Sequence, residues 1–139
     1  MIKSILSLLL FGIIATTACT SEKVNATLAA ILYEGGGTWK VTYAKFGDEE
    51  APRGMYDRFT IQFRNNGTYV VVNPDGSVIF TPSLLGNWKE GSNNTIIFDG
   101  TVIVRELKNL RTANKLVFEW EVNIPGKVTT TYRIELIKA

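Results

Sequence analysis

The chain of 139 residues contains no histidine and only one cysteine, Cys19. Without histidine there is no serine–histidine or cysteine–histidine dyad, no imidazole proton shuttle and no histidine-containing zinc site. A single cysteine excludes an intramolecular disulfide and any CxxC metal or redox pair. Charge of one sign is also lacking. Fifteen Lys and Arg against thirteen Asp and Glu leave +2, too weak a balance to point to nucleic acid. Long apolar runs are scarce, and the one between Ile5 and Ile14 is about half the roughly 20 residues a membrane-spanning helix needs. What is present is ordinary for one globular domain: 45% hydrophobic and 20% charged residues.

Residues 1–18 read as a secretory signal. Lys3 supplies a positive start, and the apolar stretch from Ile5 to Ile14 is broken only by Ser7 and Gly12. Small residues follow, Ala15-Thr16-Thr17-Ala18, and then Cys19. This arrangement resembles the bacterial lipobox, with Thr16 where a leucine is more usual. The resemblance implies cleavage before Cys19 and lipidation of its thiol and new amino group. More than one acyl chain on one residue suffices for stable anchoring. Thr20 rather than an aspartate follows Cys19, which by the same resemblance favours the outer membrane of a bacterial cell envelope. Residues 19–27 are the lipidated cysteine and a tether. Removing 1–18 takes one charge, Lys3, and leaves the domain of 28–139 nearly neutral.

Asn25 is a candidate N-cap for a short helix through Tyr33, with Leu28, Ile31 and Leu32 on one face. Gly35-Gly36-Gly37 ends it. A strand rather than a Lys-Ser and a helix follows, so the triplet is no phosphate loop. From Thr38 the pattern has period two. Trp39, Val41 and Tyr43 alternate with Lys40 and Thr42, and Phe59, Ile61 and Phe63 alternate with Thr60 and Gln62. Strands are predicted over 68–73, 77–81, 84–90, 95–98, 101–107 and 116–122, with a last one carrying Tyr132, Ile134 and Leu136. Asn65-Asn66-Gly67, Asp75-Gly76 and Asp99-Gly100 are hairpin signals. The two sequons at Asn66 and Asn93 are read as turns for the same reason. Short connections force antiparallel neighbours. The expectation is an all-β, antiparallel up-and-down barrel of about eight strands behind a short N-terminal helix, because closure removes exposed edges.

Gly37-Thr38-Trp39, then Phe63 with Gly67-Thr68-Tyr69, then Gly86-Asn87-Trp88 and the closing Tyr132-x-Ile134-x-Leu136 run almost the length of the domain. Together they resemble the lipocalin-like domain of small bacterial lipoproteins, within the calycin-like barrels. The resemblance implies a structural first-strand motif at Gly37 and Trp39, with Arg133 packed over Trp39. It also implies a possible small hydrophobic or amphipathic ligand. The T-D-Y motif of true lipocalins is absent.

The predicted inward set is Trp39, Tyr43, Phe59, Phe63, Trp88, Phe118, Trp120 and Tyr132. Of these, Tyr43, Phe59, Trp88, Phe118, Trp120 and Tyr132 are the candidates to line a ligand. Eight strands leave an interior just wide enough for side chains or one small ligand, and large aromatics can fill it. The alternative is therefore a side-chain-filled barrel that serves a structural role or holds an envelope protein partner. Catalysis has poor candidates. Asp48-Glu49-Glu50 reads as a solvated run, and Glu119 and Glu121 lie opposite the apolar stripe Leu116 to Val122. No enzyme activity, metal or cofactor is expected.

Overall fold

The computed structural model describes residues 27–112 and 114–139. The predicted signal segment, Cys19, Asn25 and the predicted tether up to residue 26 lie outside the described residues. Helix α1 (Leu28–Tyr33) starts at Thr27, whose hydroxyl accepts the Ala30 N–H at 3.2 Å. Thr27 rather than Asn25 is the cap, because a cap oxygen must reach the third N–H of its helix.

Nine strands follow: β1 (Thr38–Phe46), β2 (Glu49–Glu50), β3 (Thr60–Phe63), β4 (Thr68–Val72), β5 (Leu85–Glu90), β6 (Thr95–Phe98), β7 (Val102–Glu106), β8 (Lys115–Val122) and β9 (Thr130–Lys138). Each pairs antiparallel with its neighbour, and β9 returns to β1, closing a barrel of eight strands with β2 as a short flap on β1. The base of the barrel is the end where β1 begins and α1 sits. The mouth is the end where β1 leaves Phe46.

The tight turns work through residues that tolerate positive φ. Asp99 (47°) and Gly100 (71°) link β6 to β7, and Asn93 (54°) and Asn94 (57°) link β5 to β6. Two such residues in succession match the right-handed twist of a hairpin. Asn66 Oδ1 accepts from both the N–H and the hydroxyl of Thr68, at 3.1 and 2.7 Å, so this sequon is a turn.

Two predicted details are corrected. Tyr43 does not face inward. A bulge between Val41 and Tyr43 shifts the register, so Ala44 and Phe46 continue the inner face while Tyr43 pairs with outward Glu135. A bulge adds one residue and inverts the alternation beyond it. The strand predicted over 77–81 is a loop, and Phe80 at its centre is buried inside the barrel. One outward position on β8 also departs from the simple alternation. Val117 is fully buried on the outer face because the 3₁₀ turn Lys108–Leu110 packs against β8.

Candidate functional site

The base is sealed by the first-strand motif. Trp39 is fully buried, and its indole N–H donates to the Leu32 carbonyl at 2.9 Å, tying α1 across the opening. Gly37 has φ +67°, and a Cβ there would stand 2.0 Å from the Phe63 carbonyl oxygen. The Phe63 N–H bonds the Gly37 carbonyl at 2.8 Å, so β1 and β3 meet too closely for any side chain at 37. The cation over Trp39 is Lys138, its register partner, with Nζ 5.7 Å from the ring centroid. Arg133 lies five residues up the strand opposite Lys45. Its expected place over Trp39 is not realised, because only the end of β9 reaches the base.

Trp88 also belongs to the base. Its indole N–H donates to the carbonyls of Thr68 (2.9 Å) and Arg64 (3.2 Å), and its ring meets Phe63 edge-on at 5.4 Å. A buried ion pair completes this end. Glu106 shares the inner face with its partner Phe118 and is 0% exposed at its side chain. Arg111 reaches it through two bonds of 2.8 Å from the end of the 3₁₀ turn. Those bonds hold the guanidinium pKa above its ordinary value.

The lumen is occupied. Phe63, Tyr69, Phe98 and Phe118 point inward with almost no exposure, and Phe80 enters among them from the 73–84 loop. Its ring centroid lies 5.4 Å from Phe98, 5.7 Å from Phe118 and 5.6 Å from Trp120. The loop is fixed to the 51–59 segment beside it. The Ser77 hydroxyl donates to Met55, the Tyr56 hydroxyl to Val78, and Arg58 pairs with Asp75. Burial pushes the Tyr56 phenol up to about 12.

Of the six ligand-lining candidates, Phe59, Phe118 and Trp120 join the packed interior and Trp88 the base. Tyr132 is half-buried beside Trp120 (5.6 Å) and Phe46 (5.0 Å), and Tyr43 is outside. The Tyr43 hydroxyl donates to Glu50 at 3.1 Å along a shallow cleft of ≈ 210 Å³ that also takes in Arg53 and Asp57. Burial, then the Glu50 hydrogen bond, raises its pKa.

Asp99 ties three strands together. Its carboxylate accepts the Asn87 N–H and the Tyr69 hydroxyl, each at 2.7 Å, and these hold its pKa below the usual carboxylate range. A Cβ at Gly86 would lie 2.3 Å from that carboxylate. The glycine of Gly86-Asn87-Trp88 thus makes room for Asp99, and the tryptophan seals the base.

Sequence reasoning missed Phe80, Glu106 and Arg111. For Glu106 a signal exists, since it continues the inward alternation Val102, Val104. For Phe80 the proline at 82 and the surrounding serines and threonines argue for a loop, but not for one that turns inward. A further cleft of ≈ 350 Å³ opens on the outer face between β7 and β8, lined by Ile103, Arg105, Glu119, Trp120, Glu121 and Thr131. Among the described residues no helix is long and apolar enough to cross a membrane. No family model, curated protein or solved structure matches the chain.

Proposed function

We propose that this chain is a non-enzymatic lipoprotein of the bacterial cell envelope that acts through the outer surface of a filled, lipocalin-like barrel on another envelope protein. The observation that carries this reading is Phe80, seated among Phe98, Phe118 and Trp120 where a carried ligand would lie. A ligand carrier typically keeps a continuous apolar cavity of about 300 Å³ or more, whereas here rings in contact occupy the axis. Trp39 and α1 close the base from below, and the stapled 73–84 loop closes the mouth. The lipobox resemblance at Ala15 to Cys19 supports attachment to the membrane through Cys19, with the outer membrane as the destination.

Two measurements test the reading. Native mass spectrometry of protein taken from its own membrane and cleaved from its lipid anchor should give a barrel without non-covalently bound lipid or metabolite. A stoichiometric co-purifying small molecule would overturn the filled-barrel reading and restore ligand carriage. Cell fractionation of Cys19→Ala should move the protein into the soluble fraction, and retention in the membrane would sink the anchor.

A further inference from the structure

The ladder between β7 and β8 is the shortest in the barrel wall. Its register holds only Arg105↔Glu119 and Glu106↔Phe118, whereas β8 pairs with β9 over all eight of its residues. In an antiparallel ladder the N–H and C=O of one residue point to the same neighbour, and successive residues alternate between neighbours. On β7 the sides can be assigned. The Glu106 N–H bonds the Asn94 carbonyl beside β6, at 2.8 Å. The Leu107 N–H bonds the Val117 carbonyl of β8, also at 2.8 Å. Even-numbered residues of β7 therefore serve β6 and odd-numbered ones serve β8. Above the Arg105–Glu119 rung, the next bonded rung would join Ile103 to Glu121, and that rung is not formed. Ile103 and Glu121 thus face each other across the junction without forming a register pair.

The ≈ 350 Å³ cleft lies at this same place, with Ile103 and Glu121 in its lining. Ile103 is 61% exposed and offers an apolar wall. Arg105 holds Glu119 at 2.8 Å at the lower end. Glu121 is exposed and has no ion-pair partner among the described residues. Unmade main-chain bonds beside an apolar wall and an unpaired carboxylate match one kind of occupant.

We propose that the upper β7–β8 junction recognises an extended peptide segment bearing a basic side chain next to an apolar one. The backbone of the segment takes up the free groups of Ile103 and Glu121, its basic side chain meets Glu121, and its apolar side chain covers Ile103. This is strand addition at an incomplete ladder, in which main-chain bonds give affinity and side chains give selectivity. The proposal rests on the protein-interaction reading above and names the partner's binding segment.

Amide hydrogen exchange and NMR on the folded domain test it. The probe is a short blocked peptide of alternating valine and threonine with one central lysine. In the free protein the Ile103 and Glu121 amides should exchange about tenfold or more faster than those of Arg105 and Glu119. Adding the peptide should slow both and shift the signals of Ile103, Glu119, Glu121 and Thr131. Glu121→Lys should weaken the lysine peptide about tenfold and favour the same peptide with glutamate in place of lysine. Two outcomes overturn the proposal: Ile103 and Glu121 amides as protected as those of Arg105 in the free protein, or no shift at these residues at millimolar peptide. Either would leave the interaction reading standing, because that reading fails on bound lipid instead.

Discussion

At the residue scale, two small side chains and one carboxylate decide where strands can meet. Gly37 combines a positive φ with a neighbouring carbonyl that leaves no room for a Cβ, so Gly37→Ala forces β1 and β3 apart at the base. Gly86 yields its space to Asp99. The Asn87 amide and then the Tyr69 hydroxyl depress the Asp99 pKa below its ordinary 3.8. A carboxylate depressed in the fold contributes stability above the unfolded value, lost as pH falls through the lower folded one. Acid unfolding followed by circular dichroism should therefore show an acid limb starting near pH 3.8 and extending below it. That part of the limb should vanish in Asp99→Asn, and an unchanged limb would show that the carboxylate is not responsible. Tyr56 works in the opposite sense. A phenol raised to about 12 contributes fully below its ordinary 10 and loses that contribution as pH rises towards 12.

At the element scale, the 73–84 loop behaves as an internal plug rather than a connection. Removing the Phe80 ring leaves an apolar void, and such truncations cost about 3–5 kcal/mol. Phe80→Ala should lower stability by that order in denaturant unfolding. It should also gain a thermal shift with a small aromatic such as indole, because an apolar cavity stays dry and accepts apolar guests. A Phe80→Ala protein of unchanged stability would show that the plug is ornamental. The strands themselves were legible because their alternation survives translation into a pleated wall. Phe59, Ile61 and Phe63, and Leu116, Phe118 and Trp120, point inward as their spacing says. The plug was not legible, since one buried phenylalanine in a polar loop has no period to announce it. Tyr43 misled for a related reason. A bulge leaves the composition of a strand unchanged while inverting every position beyond it, and no residue near Val41 signals the extra one.

At the scale of the whole molecule, the base carries an ion pair whose disruption strands a buried charge. Glu106 is fully buried and Arg111 only partly so, with two bonds between them. Deleting one partner of a buried pair costs about 3–5 kcal/mol, whereas replacing both by apolar groups is often nearly neutral. Arg111→Ala should be severely destabilised, and Glu106→Leu with Arg111→Met should recover most of the loss in the same thermal unfolding assay. Failure of the double variant to recover would assign the pair a role beyond neutralising charge. The candidate site was only partly readable at this scale. Trp39, Trp88, Phe118 and Trp120 are buried as expected, but which of them faces an opening depends on Phe80. The incomplete β7–β8 ladder is invisible in composition, because the inward positions of both strands keep their period and only the pairing stops.

The ladder that shuts the barrel joins β1 to β9, residues 39–46 to 132–138. Contacts this distant in sequence must meet a large loop-closure entropy before they return any stabilisation, which makes such topologies slow to fold. The wall cannot shut until β9 has left the ribosome, so throughout synthesis the domain remains an open, incompletely folded chain. Such a delay suits the export proposed for this chain, since threading through a translocation channel demands a chain that has not yet locked its tertiary structure.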